Sequence, residues 1–556
     1  MRVNWRSLWR RFSEGAGQGP TCASMVLMGS LFLGDGYQPA AIGGDDPLEN
    51  LQQRVAILEE ENRTLRSEIE SEKSVEPNKE ATAAEDRINT APIGPLVEKY
   101  LNERPRDVDP IDEFQEQRIA SLQESLTGIT NKLNKKSLPS VQVNGVFQTD
   151  MGFFQQDANS HATYGNIQDG ADFRRTRLSA KGSLSDTTHY MVQMDFAFFG
   201  RPTFTDVWGE QTEIPGLGNV RVGQWKQPFS LEVVSSFRYT TFAERSLLFQ
   251  AFTPFRHLGA GFYNTNDDQT MTWAASGFTT GQDQFGGSIS NSGGWGTAER
   301  ITFLPFWDDS TQGDGYLHLG LGHFLNVPPN HIANFRTIPE LYVGQNGAGV
   351  IGSSGQAAPG GFNGTPFISQ TGNLGINHYN VLGTEFLWVD GPLSIQSEGM
   401  VNLVDQSAGV LNGATPTVNF ANGNSTAMLA GGYAQVGYFL TGEHRPYDRK
   451  AGAVDRIQPR HSFAPWNHDR VSGWGAWEIA GRWSYLDLND KTIRGGTVTD
   501  LTAGLNWYLN AYWKMQFNYI HSMPRYTPQS GPAGTPDSPF AKSTLDMFDF
   551  RCQIDF

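Results

Sequence analysis

The sequence predicts an all-β, antiparallel transmembrane barrel of about 16 or 18 strands, preceded by an N-terminal α-helical coiled coil. Three observations carry the barrel. The first is strict alternation from Phe548 to Phe556: Phe548, Phe550, Cys552, Ile554 and Phe556 share one face, and Asp549, Arg551, Gln553 and Asp555 share the other. A soluble sandwich permits that pattern too, but an aromatic residue at the chain end, with nothing after it to cover it, predicts a closing strand that faces lipid and turns its polar side to a lumen. The second is recurrence of the same period from Val141 onward. The third is that no run of about 18 apolar residues follows residue 40, which excludes a membrane-spanning helix, whereas a barrel strand needs only about 10 alternating residues.

Composition agrees without deciding. The 556 residues are 38% apolar, with 62 Gly, 35 Phe and 14 Trp, so the chain is poor in charge and rich in aromatics and turn formers. A mean hydropathy of -0.42 argues against a helical membrane protein.

Taken in order, residues 1–41 read as a secretory signal. Arg2, Arg6, Arg10 and Arg11 precede the apolar stretch Ala23 to Leu33, and small residues follow around Pro39-Ala40-Ala41. A cytoplasmic basic helix is the alternative. Cys22 lies before the apolar stretch, where a lipid anchor is not expected, and Cys552 lies on the proposed lipid face, so no disulfide is expected.

Residues 45–75 carry a heptad repeat. Leu48, Val55, Asn62 and Ile69 occupy one core position and Leu51, Leu58 and Leu65 the other, which predicts a short coiled coil or, failing that, a single amphipathic helix. Residues 76–140 form a polar, proline-punctuated linker with a second helix-like stretch, Ile119, Leu122, Leu126, Ile129 and Leu133, ending in Lys132, Lys135 and Lys136.

Residues 141–556 read as the barrel. Between Arg175 and Ala197, Leu178, Ala180 and Leu184 face the same way as Tyr190, Val192, Met194 and Phe196 across the turn Ser185-Asp186-Thr187. Arg175, Arg177, Ser179 and Lys181 share the opposite face with Gln193 and Asp195. Later, Trp477, Ile479, Trp483 and Tyr485, and then Trp513, Met515, Phe517 and Tyr519, alternate with polar residues. Their aromatics are placed as an interfacial girdle requires. The Gly- and Asn-rich stretches Gly344 to Gly364 and Gly409 to Asn424 read as long external loops.

Four strings carry a family resemblance. They are Phe173-Arg174-Arg175-Thr176-Arg177-Leu178; Gln193-Met194-Asp195-Phe196-Ala197; Val220 to Glu232, reading Val-Arg-Val-Gly-Gln-Trp-Lys-Gln-Pro-Phe-Ser-Leu-Glu; and Gly437 to Tyr447, reading Gly-Tyr-Phe-Leu-Thr-Gly-Glu-His-Arg-Pro-Tyr. In order and spacing they resemble the phosphate-selective porin O and P family over residues 141 to 556. The resemblance implies a homotrimer of 16-stranded barrels in the cell outer membrane, in contact with lipid, whose basic lumen passes small anions such as phosphate or polyphosphate.

An anion pathway needs fixed positive charge, and Arg hydrogen-bonds phosphate oxygens without losing its charge. Arg175, Arg177 and Lys181 recur on one polar strand face, about 6.6 Å apart for every second residue, and Arg221 joins them from a neighbouring strand. Lys226 is included because it holds the lysine of the family-like Gly-Gln-x-Lys-x-Pro-Phe string, although simple alternation puts it on the Val222 face. Ordinary lumen pairing with carboxylates such as Asp195 or Glu232 is the alternative for all five. Glu244-Arg245 reads as a structural ion pair.

Charge counts pull the other way. Of 42 Lys plus Arg and 58 Asp plus Glu, 17 and 23 fall before residue 141, which leaves 25 and 35 in the barrel region. A weakly selective or cation-preferring pore therefore stays open, because selectivity depends on which charges reach the constriction. His461, His468 and Asp469 match no zinc spacing, and no nucleophile triad can be picked out. No enzyme activity, cofactor, metal or nucleic-acid partner is expected. Three functions remain: an anion-preferring porin, a non-specific porin, and a structural protein that contacts the periplasmic cell wall and tethers the envelope through the coiled coil.

Overall fold

In a computed structural model, residues 138–197, 202–280, 293–311, 313–343, 365–407, 426–464, 473–490, 493–526 and 542–556 are described. The signal, the coiled coil and the second helix of the linker lie outside them, as do the stretches Gly344 to Gly364 and Gly409 to Asn424, and His468 and Asp469.

Sixteen long strands follow one another: β1 Gln142–Gln156, β2 Gly170–Ser183, β3 Thr188–Asp195, β4 Thr203–Ile214, β5 Gly218–Lys226, β6 Arg256–Thr265, β7 Met271–Thr280, β8 Gly294–Trp307, β9 Gly315–Val327, β10 Leu374–Asp390, β11 Leu393–Gln406, β12 Thr426–Phe439, β13 Ala476–Asp490, β14 Ile493–Asn510, β15 Trp513–Ser522 and β16 Leu545–Asp555. Each pairs antiparallel with the next. The sheet closes because β1 pairs with β16, from Val146 opposite Asp555 to Gln156 opposite Leu545. Closure leaves no edge to satisfy, which a sheet in lipid requires. The strand number, open in the sequence between 16 and 18, is sixteen.

The closing strand shows how alternation becomes a barrel. Asp549, Arg551, Gln553 and Asp555 are buried inward, whereas Phe548 and Phe556 are exposed outward. The same inversion of soluble-protein logic runs through β11, whose inward Gln396, Glu398 and Asn402 are buried and whose outward residues are half-exposed. Outward Leu178, Val222, Leu321, Leu382, Met428 and Phe517 make the outer surface apolar. A polar group on that surface, Glu299, His323 and Asn380, satisfies itself: the His323 ring nitrogens lie 2.8 Å from Glu299 Oε2 and 3.1 Å from Asn380 Oδ1.

At one barrel end the hairpin turns are short, at 184–187, 215–217 and 391–392, and the opposite end holds most of the long connections. Three connections fold into the lumen. The first, Gln227 to Phe255 between β5 and β6, contains the short helices α1 Leu231–Val234 and α2 Leu248–Phe252. It lies against the wall because the wall has glycines to receive it. A Cβ at Gly322 would come within 2.9 Å of the Phe229 ring, and one at Gly383 or Gly504 within 3.0 Å of Phe229 or Phe242. Polar latches add to this seat. Glu398 of β11 accepts from the backbone N–H groups of Leu231 and Glu232 at 3.1 and 2.8 Å, at the start of α1.

The second inward segment follows β9. Its buried Glu340 receives Arg482 at 2.5 Å, Ser484 at 2.5 Å and Thr502 at 2.6 Å, and Leu341 and Val343 fill the space left by Gly152. The third enters from the short-turn end, between β12 and β13. Arg445 pairs with Glu478 at 2.9 Å, the Tyr447 hydroxyl meets His318 Nδ1 at 2.6 Å, and Arg300 donates to the Gly452 carbonyl at 2.7 Å. Val454 N–H then donates to Ser235 Oγ of the first segment at 3.1 Å, so the two inward segments meet.

Candidate functional site

The inward segments leave a cavity of about 620 Å³ along β3 to β8. Six cationic side chains line it: Arg221, Lys226, Arg238, Arg256, Arg300 and Lys450. Asp206 and Asp448 are the carboxylates in its lining. Strands set the positions of Asp206, Trp208, Arg221 and Tyr263, whereas the first inward segment supplies Phe237 and Arg238 and the third supplies Asp448 and Lys450.

Most of these charges are already paired. Arg221 reaches Glu210 at 2.6 Å, with the Tyr263 hydroxyl donating to the same carboxylate at 2.6 Å. Arg256 holds Asp206 at 2.6 Å, Arg300 holds Glu385 at 2.7 Å, and Arg238 lies 3.5 Å from Asp555. Aromatic rings complete the wall. The Arg221 guanidinium lies 4.0 Å from the Trp208 ring centroid and 5.1 Å from that of Tyr263, within cation–π range of both.

The five residues singled out from sequence fall in three places. Arg221 and Lys226 line the cavity. Arg175 and Arg177 are buried behind it: Arg175 donates to Gln148 at 2.7 Å, Arg177 pairs with Asp195 at 2.7 Å, and the two guanidiniums lie 4.8 and 4.6 Å from the Phe237 ring centroid. Lys181 is exposed near the short turn after β2, away from the cavity lining.

Two expectations need correcting. Lys226 does not follow Val222 outward. Backbone geometry breaks at Gly223, where φ is 131° and a Cβ would meet the Val207 carbonyl at 2.3 Å, so alternation fails beyond it. The Lys226 ammonium instead donates to the carbonyls of Val233 and Ser235, both at 2.7 Å, at the end of α1. Glu244 and Arg245 are not partners of each other. Glu244 receives Arg174 at 2.8 Å and Arg551 at 2.6 Å, while Arg245 donates to the Glu232 carbonyl at 2.7 Å.

Electrostatics within the first inward segment follow from these contacts. Burial alone penalises the Glu244 carboxylate, but Arg174, Arg551 and Arg175 outweigh it and hold its pKa well below the ordinary value. Burial pushes the Arg245 guanidinium down to about 10. Burial also raises the Glu232 carboxyl, against the pull of Arg482 and Ser246. Among the described residues, no group of three or more His, Cys, Asp or Glu side chains is placed to hold a metal.

Sequence reasoning missed Trp208, Arg238, Arg256, Tyr263, Arg300 and Lys450. A signal existed for Trp208, which shares its strand face with Glu210. None existed for Lys450, which reaches the cavity only because a connection folds inward.

Residues 141–538 match the family model described as phosphate-selective porin O and P. Porin O of Pseudomonas aeruginosa is 22% identical over 402 residues, 68% of this chain and 82% of that protein. An uncharacterized protein of Caulobacter vibrioides is 25% identical over 389 residues, 68% of each chain. Among solved structures, the trimer form of OmpT, an outer membrane protein of Vibrio cholerae, aligns with a TM-score of 0.43 at 11% identity, over 76% of this chain and all of that one.

Proposed function

This chain belongs to the phosphate-selective porin O and P family and is an outer-membrane porin; from that premise we propose that it passes small anions by passive diffusion, phosphate or polyphosphate among them. The observation that carries this reading is the excess of six cations over two carboxylates in the lining of the cavity. Fixed charge along a narrow, low-dielectric path raises the local concentration of counter-ions. In this reading Arg221 and Lys226 face the moving anion, and Lys181 draws anions at the short-turn mouth. Arg175 and Arg177 act from behind Phe237, adding positive potential while they hold the constriction in place.

A second reading, a non-specific porin, is favoured by the carboxylates Glu210, Glu385 and Asp555, which sit behind three of the lining cations and offset much of their charge. Both readings take three copies of the chain as the working unit. Residues 1–41 serve as a signal, 45–75 as a coiled coil, 76–140 as a linker with a second helix and 141–556 as the barrel. A periplasmic cell-wall contact through the coiled coil remains part of the proposal.

The reversal potential of the purified protein in a planar bilayer under a KCl gradient, with and without added phosphate, tests the choice. Anion-preferring current that phosphate blocks supports the first reading. Unselective or cation-preferring current overturns it in favour of the second.

A further inference from the structure

The cavity is poorly suited to a bare phosphate ion. Arg221, Arg256, Arg300 and Arg238 already face carboxylates, at 2.6, 2.6, 2.7 and 3.5 Å, and the Lys226 ammonium is taken up by two carbonyls at 2.7 Å. Of the lining cations, Lys450 alone has neither a side-chain ion pair nor a hydrogen-bonded ammonium among the described residues. A compact dianion gives up a tightly held water shell on entering and needs several uncommitted donors in return. Breaking an existing Arg–carboxylate pair to supply them would leave a carboxylate unpaired beside the incoming charge.

What the cavity does offer is flat surface. The Arg221 guanidinium lies against the rings of both Trp208 and Tyr263 on the wall of β4 to β6. Aromatic rings and arginine planes are the surfaces on which unsaturated rings stack. The volume of about 620 Å³ suits an organic solute of moderate size.

We infer that the preferred solutes are organic anions in which a phosphate or carboxylate is joined to a flat ring through a short spacer, nucleoside monophosphates being the representative class. The ring stacks on the wall formed by Trp208, Arg221 and Tyr263, and the anionic group is drawn to Lys450. This inference rests on the anion-passing reading above and narrows it.

Single-channel recording with adenosine monophosphate or inorganic phosphate added on one side tests it, with a KCl reversal potential taken on the same membranes. Stacking on one ring is expected to let the nucleotide block at concentrations about tenfold lower than phosphate. In Trp208→Ala that ratio should collapse to within about threefold, and in Trp208→Phe, which keeps a ring, most of it should return. Anion-preferring current blocked by phosphate at the same concentrations as by the nucleotide, or a ratio that Trp208→Ala leaves unchanged, overturns the inference and spares the anion channel. Cation-preferring current with no block by either solute overturns both.

Discussion

The two sides of the lumen obey the same strand alternation and come out differently. On the side of β10 to β16 and β1, inward groups meet inward-folded chain and are used up. Arg551 joins Asp150 at 2.5 Å and Glu244 at 2.6 Å, Arg482 joins Glu340 at 2.5 Å, and Asn506 donates to the Thr241 carbonyl at 2.8 Å. On the side of β3 to β8, Arg221 and Arg256 pair with near neighbours on the wall and leave space in front of them. Alternation therefore makes the barrel, whereas the cavity is what the inward segments fail to fill. The division is written in wall side chains: glycine at 383 and 504 admits the chain on the filled side, while Trp208, Arg221 and Tyr263 hold the open side with bulk and paired charge.

The largest effect should come from breaking the filled side. Arg551→Ala leaves Asp150 and Glu244 short of their shared cation, and loss of one partner from a buried ion pair typically costs about 3–5 kcal/mol. Urea unfolding, followed by the mobility of folded and unfolded barrel on gels, should show that loss, and a change below about 1 kcal/mol would mean the network is ornamental. Gly383→Val comes next. Its side chain takes the place of the Phe229 ring, so overpacking of about 1–3 kcal/mol should lift the first inward segment and change the conductance, read in planar bilayers. An unaltered conductance would mean that Phe229 does not seat the constriction.

On the open side, effects should appear in selectivity rather than stability. Arg256→Gln leaves Asp206 uncompensated in the cavity and should lower the anion-to-cation permeability ratio by about two- to threefold in reversal-potential measurements. The equivalent change on the filled side, Arg445→Gln, should disturb stability more than selectivity. If the two variants behave alike, the division between the sides fails.

The smallest effect concerns pH. Glu244 has a folded-state pKa below its unfolded one, so the stability it contributes is complete above the ordinary carboxylate pKa and is lost only as pH falls through the depressed folded value. Unfolding midpoints should show no loss from this latch between about pH 7 and pH 5, and Glu244→Gln should lower the midpoint throughout that range. Equal midpoints for the two proteins at pH 7 would remove Glu244 from the account.

Much of the barrel was legible in the sequence because period-two patterning is local. Phe548 to Phe556, Trp513 to Tyr519 and the hairpin from Arg175 to Ala197 each report their own faces without reference to the rest of the chain. The site was legible only in part. Arg221 reads correctly from its strand, but Lys226 does not, because one glycine with φ of 131° resets the alternation before it. The pairing of Glu244 with Arg174 and Arg551, instead of with its chain neighbour, depends on how a connection folds back across the lumen. No periodicity encodes that return. It is set by remote glycines and carboxylates such as Gly322 and Glu398, which as isolated letters look like any other wall residues.

The central claim, that solutes pass along one side of the lumen, is tested most directly by cysteine accessibility. In a Cys552→Ser background, Asn219→Cys places a thiol on the cavity wall, and Asn402→Cys places one on the filled side, where the native residue is fully buried. A bulky, charged thiol reagent applied during single-channel recording should cut the current of Asn219→Cys sharply and leave that of Asn402→Cys unchanged. Block of Asn402→Cys with no effect on Asn219→Cys would contradict the account and put the passage on the other side of the barrel.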